Sequence, residues 1–92
     1  MKTYDLYGMR TSDLEASRIL IETLLGIRLS AHESGYHCGE YYRLNHVGTE
    51  HFVLQRNRDD FEDEWTEEEH QDMPFLLYVN ETERAEEIKA RL

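Results

Sequence analysis

The chain has 92 residues, with 20 Asp and Glu against 10 Lys and Arg, and a formal net charge of -10 with its five histidines neutral. That length fits one small domain over residues 1–92, and that charge opposes nucleic acid and anionic membrane while suiting a basic protein partner. A single cysteine, Cys38, excludes an internal disulfide and a thiolate metal cluster, and with no apolar span or apolar N-terminal run the expected compartment is the cytosol.

In chain order, Tyr4-Asp5-Leu6-Tyr7-Gly8-Met9 alternates in character and predicts a first strand. Ser12-Asp13-Leu14-Glu15 has the form of a capping box, in which a hydroxyl and a carboxylate each satisfy an unpaired backbone N–H, so a helix is expected to start there. Its apolar stripe would be Leu14, Ala16, Leu20, Ile21, Leu24 and Leu25, and Gly26 supplies the left-handed residue that ends it. Ile27, Leu29 and Ala31 then alternate with Arg28, Ser30 and His32, the pattern of a strand with one wet face. Ser34-Gly35 reads as a two-residue hairpin turn into a strand over residues 36–44, and a longer turn leads to a third strand over 50–56. This register pairs Ile27 with Tyr42, Ala31 with Cys38 and His32 with His37. It also sets Leu29 opposite Glu40 on the core side, so a bulge at Gly39 is expected to turn that carboxylate to water.

Acid content is concentrated in one place. Nine acids and no Lys or Arg lie between Asp59 and Asp72, so this 14-residue segment carries -9 and the rest of the chain is nearly neutral. Phe61 and Trp65 sit inside it, and a short helix over 64–70 is one possible local structure. The apolar run Phe75-Leu76-Leu77-Tyr78-Val79 follows and predicts a strand that is central or covered on both faces. Asn80 and Thr82 offer caps for a last helix whose inner face is Ala85, Ile88 and Leu92. The expected fold is α+β: a mainly antiparallel sheet of about five strands, two helices on one face, and the order β-α-β-β-β, acidic excursion, β-α.

The acidic excursion lacks the glycine and the alternating oxygen ligands of a calcium loop. It reads instead as a protein-binding surface, in which Asp59, Asp60, Glu62, Asp63, Glu64, Glu67, Glu68 and Glu69 attract a basic partner and Phe61 and Trp65 anchor it. The bland alternative is a solvated loop whose Trp65 closes the edge of the core. His32, His37, His46 and His51 fall close together in sequence, but only the first two are placed side by side, short of the three or four ligands that zinc requires. Together with Arg28, Tyr41 and Arg43, His32 and His37 form a possible secondary face for a partner or a small anion. No nucleophile motif or phosphate loop is present, and Cys38 has no neighbour that would activate it, so the reading is non-enzymatic, without cofactor or metal.

Two resemblances add to this. Leu24-Leu25-Gly26-Ile27 closing a helix, with Gly39-Glu40-Tyr41-Tyr42-Arg43-Leu44 in the following hairpin, resembles one strand-helix-three-strand module of the glyoxalase/vicinal-oxygen-chelate fold over about the first 56 residues. Residues 3–9 contain none of that family's metal-ligand types, so its metal function is not carried over. Tyr4-Asp5-Leu6-Tyr7-Gly8, His32-Glu33-Ser34-Gly35-Tyr36, Glu40-Tyr41-Tyr42-Arg43 and Phe52-Val53-Leu54-Gln55-Arg56-Asn57, followed by an acidic stretch, are similar to small bacterial immunity proteins of contact-dependent or polymorphic toxin systems. That resemblance implies a cytoplasmic inhibitor, monomeric or weakly dimeric, that covers the cleft of a cognate toxin domain, a nuclease being the expected class. The alternatives are a small-molecule or metal-binding glyoxalase-like domain and an acidic mimic of nucleic acid.

Overall fold

The computed structural model describes residues 2–34, 37, 39–59 and 62–92. In chain order the elements are β1 (Thr3–Met9), α1 (Leu14–Leu25), β2 (Ser30–Ser34), β3 (Gly39–Leu44), β4 (His51–Arg56), β5 (Arg58–Asp59), β6 (Glu64–Trp65), a 3-10 turn (Glu68–His70), β7 (Phe75–Thr82) and α2 (Ala85–Arg91). This is the expected α+β order, with a two-stranded ribbon of β5 and β6 inside the acidic segment where a short helix was one possibility. Neither helix is long and apolar enough to cross a membrane.

Helix α1 starts one residue later than the capping box suggests. Asp13, in extended conformation, is the cap, and its carboxylate accepts the Ala16 N–H at 2.7 Å. Aspartate caps as well as serine does, and this choice makes Leu14, which is buried, the first helical residue. Gly26 ends the helix at φ 65, and its N–H donates to the Glu22 carbonyl at 2.9 Å. The buried stripe is Leu14, Ser17, Ile21 and Leu25, narrower than expected; Leu20 and Leu24 are 41% and 36% exposed.

Five antiparallel strands form one sheet in the order β1-β7-β4-β3-β2. The apolar run after the acidic segment is therefore central, one of the two placements its composition allows. Side chains alternate between faces along each strand. One face carries Phe52, Leu54, Phe75, Leu77 and Val79, which pack with Leu14, Ile21 and Leu25 of α1 and Ile88 of α2 into the core. The other face carries Leu6, Gly8, Tyr41, Val53, Gln55, Leu76 and Tyr78 in adjoining rows.

The β2–β3 register differs from expectation. Ser34 pairs with Gly39, Ala31 with Tyr42 and His32 with Tyr41, so the connection is a four-residue loop instead of a turn at Ser34-Gly35. The displacement is by four residues, an even number, so the side chains keep the faces of the expected pairing, except that Glu40 stays in the row of Tyr42 instead of being turned by a bulge. Leu29 precedes β2 and does not face Glu40; Glu40 lies opposite Glu33, and both are exposed. No bulge is needed, and none interrupts the β2–β3 or β3–β4 pairing; the left-handed Gly39, at φ 97, opens β3 directly from the loop. Cys38, expected opposite Ala31, the turn residue Gly35 and the expected strand residue Tyr36 lie outside the described residues.

One ion pair ties the loop before β4 to α2. The Glu50 carboxylate accepts Arg84 Nη2 at 2.8 Å, Arg84 Nε at 3.0 Å and the Thr82 hydroxyl at 2.6 Å, while Thr82 Oγ1 accepts the Arg84 N–H at 3.1 Å. The Arg84 hydrogen bond, supported by Thr82, holds the Glu50 carboxyl below its ordinary value. A depressed carboxyl stabilises the fold above its unfolded value and stops doing so as pH falls through its folded value. Because the pair is partly exposed, Glu50→Gln is expected to cost only about 1 kcal/mol near neutral pH, and the difference from the wild type should vanish in acid. Urea midpoints measured across pH check this; a difference that persists after Glu50 is protonated contradicts it.

Candidate functional site

The described residues of the segment between β4 and β7, 57–59 and 62–74, leave the end of β4, fold back across the second face of the sheet and return at the start of β7. The fixed point of this strap is Asn57, which is fully buried. Its side-chain N–H groups donate to the carbonyls of His70 at 2.8 Å and Met73 at 3.0 Å, with a longer contact to Glu67 at 3.4 Å, and its Oδ1 accepts the Glu67 N–H at 2.8 Å. Its backbone N–H donates to the Pro74 carbonyl at 2.9 Å, and its carbonyl accepts the Thr66 N–H at 2.7 Å. One asparagine thereby supplies the hydrogen bonds that regular pairing would otherwise provide across the strap's base.

Further ties run from the strap to the sheet. Tyr78 donates its hydroxyl to Glu67 Oε1 at 2.8 Å. The Met73 side chain lies on Gly8, so close that a Cβ there would sit 2.5 Å from Met73 Cγ. Arg10 bonds Asp72 at 2.6 Å, which holds that carboxyl below its ordinary value. Leu76, in the row of Gly8 and Gln55 on this face, is buried, whereas Tyr78 and Asn80 further along β7 are only partly so.

Within the strap, Arg58 and Asp59 pair with Trp65 and Glu64 as the β5–β6 ribbon. Asp63 takes the tight turn at φ 56 and is ion-paired with Arg58, whose guanidinium carbon lies 5.4 Å above the Trp65 ring centre. Of the residues expected to bind a partner, Glu62, Asp63, Glu64, Glu68 and Glu69 are exposed, whereas Asp59, Trp65 and Glu67 are partly buried. Asp60 and Phe61 lie outside the described residues. Pairing with Arg10 and Arg58 accounts for Asp72 and Asp63; Glu62, Glu64, Glu68 and Glu69 have no ion pair among the described residues.

Between strap and sheet lies an open cleft of about 690 Å³. Its floor is Val53, Tyr78 and Asn80, with Gln55 and Thr66 at one end, and its wall is Asp59, Glu62, Glu64, Trp65 and Glu67. No Lys, Arg or His lines it among the described residues. The arrangement combines negative potential with an aromatic and aliphatic surface, which suits an organic cation.

No known family, curated protein or solved structure matches this chain. The site must therefore be read from its own chemistry.

The secondary face assembles differently from its predicted pairing. The Tyr41 ring stacks with His32 at 5.5 Å and lies 4.0 Å from His37, whose Nδ1 is 2.9 Å from Gln55 Oε1. The two imidazoles therefore flank a buried tyrosine instead of facing each other. Arg43 is one row away on this face and bonds the Asn45 carbonyl, while Arg28 is exposed ahead of β2. His46 is in the β3–β4 loop, and His51 is buried at the Thr49 carbonyl and Glu81. No group of three or more His, Cys, Asp or Glu able to hold a metal occurs among the described residues.

Sequence reasoning missed Asn57, Arg58, Met73 and Tyr78. The side-chain partners of Asn57 are 10 to 16 residues away, so no local pattern announces it. Arg58 could have been found: it is the base immediately before the acidic run, at a cross-strand distance from Trp65.

Proposed function

We propose that this chain is a non-catalytic binding protein that neutralises a basic partner, in the manner of an immunity protein covering the active-site cleft of a cognate toxin domain, with a nuclease as the fitting class. The observation that carries this reading is the anchoring of the -9 segment by Asn57. A solvated acidic loop would lose much conformational entropy on binding, whereas a strap already tied at both ends and across the sheet presents its carboxylates with little further ordering. Such a surface steers a basic cleft by long-range attraction, and its partly buried Trp65 slows dissociation once contact is made. A nuclease cleft, built to hold phosphates with Arg and Lys, is complementary to it.

The test is toxicity and rescue. The coding sequences beside this one are expressed alone and together with it; one of them is expected to arrest growth and to be relieved by this chain. The variant with Glu62, Glu64, Glu67 and Glu68 all changed to Gln should bind that product more weakly and with a shallower salt dependence, because fewer charges are engaged. If no neighbour is toxic, or if affinity and salt dependence survive neutralisation, the reading fails.

A further inference from the structure

Resting on that reading, we propose that the cleft between strap and sheet receives an arginine side chain of the partner, with Trp65 as the surface against which its guanidinium packs. Carboxylates of Glu62, Glu64 and Glu67 border the space, Val53 and Tyr78 form its floor, and no cation lines it among the described residues. An extended cationic side chain matches this layout: its aliphatic stem lies against the apolar floor and its head meets the carboxylates.

The choice of arginine over lysine comes from an independent feature. The chain already binds one guanidinium in this way, because Arg58 lies over Trp65 at 5.4 Å while paired with Asp63. Arg58 does not line the cleft, so it supports Trp65 from outside and leaves the space open. A planar, weakly hydrated guanidinium can stack on the indole and bond two carboxylates at once, whereas a compact ammonium keeps more of its water and has no face to stack.

The chain has a single tryptophan, so its emission and its indole N–H resonance report on this place alone. The intact protein is titrated with hexa-arginine, hexa-lysine and spermine at low and physiological ionic strength. Hexa-arginine should bind saturably, shift the Trp65 signals and exceed hexa-lysine by about fivefold in affinity. Trp65→Leu, followed calorimetrically, should abolish that difference while leaving salt-dependent binding. Trp65→Phe should retain part of it, and Glu64→Gln should weaken both peptides. An unchanged amide spectrum shows that each variant is folded; should Trp65→Leu unfold, Trp65→Phe and Glu64→Gln decide the matter. Equal affinity for the two peptides, spermine binding as tightly as hexa-arginine, or a preference that survives loss of the aromatic ring overturns the arginine site and leaves the docking surface standing. Failure of every polycation to bind at low ionic strength overturns both.

Discussion

Asn57→Ala should lower the stability of the domain by about 2–4 kcal/mol and release the strap from the sheet. The side chain removed is fully buried and donates to the carbonyls of His70 and Met73 while accepting the Glu67 N–H. Alanine leaves those groups without their partner in a place that water reaches poorly, and an unmade buried hydrogen bond costs more than a made one contributes. Against a total of roughly 5–14 kcal/mol for a chain of this length, that is a large share. Asn57→Asp separates the two halves of the clamp: it keeps an acceptor for Glu67 but turns a carboxylate toward carbonyl oxygens, so it should be at least as damaging. Urea unfolding gives the stability, and amide exchange gives the location. Faster exchange at Glu67, with protection kept in β4 and β7, is the expected pattern. Uniform loss across the sheet would mean that Asn57 supports the whole core and not the strap.

Gly8→Val should also destabilise, by about 1–3 kcal/mol, although valine suits a strand far better than glycine does. The sign is therefore diagnostic. A Cβ at this position would meet Met73 Cγ at 2.5 Å, Sδ at 2.8 Å and Cβ at 3.0 Å, so swinging the thioether away relieves only part of the clash and the backbone of the strap must move. Combining the change with Met73→Ala removes Cγ and Sδ, the two nearest obstructing atoms, and leaves only the Cβ contact, so the pair should be less harmful than the sum of the singles, which a double-mutant cycle measures. Strict additivity would show that the two residues do not meet.

These results bear on how the site arises. Helix α1, its stop at Gly26, and the strands of the sheet were legible because each depends on local chemistry: a cluster of capping residue types at 12–13, of which Asp13 and not the expected Ser12 is used, a left-handed glycine, an alternation of side chains. The hairpin register was displaced because Ser34-Gly35 satisfies the preferences of a two-residue turn, while the chain closes with a four-residue loop that places Tyr41 against Gln55 and His32. The breadth of the α1 stripe was overestimated for a related reason: Leu20 and Leu24 lie on the helix but beyond the reach of the sheet, and periodicity cannot tell how wide the covered strip is.

Composition and spacing by themselves determined the α+β order, a strand beginning at Phe75, and the concentration of net charge between Asp59 and Asp72, since all three follow from residue types in sequence; that this strand runs on through Asn80 and Thr82, which were expected to cap the last helix, and lies at the centre of the sheet came from the tertiary pairing. Only the tertiary structure decided that the acidic segment is a strap lying over the second face of the sheet, and that a cleft opens beneath it. Those properties rest on Asn57 bonding residues 10 to 16 positions away, on Met73 meeting Gly8 and on Tyr78 meeting Glu67, contacts that exist only once the sheet has brought distant parts of the chain together.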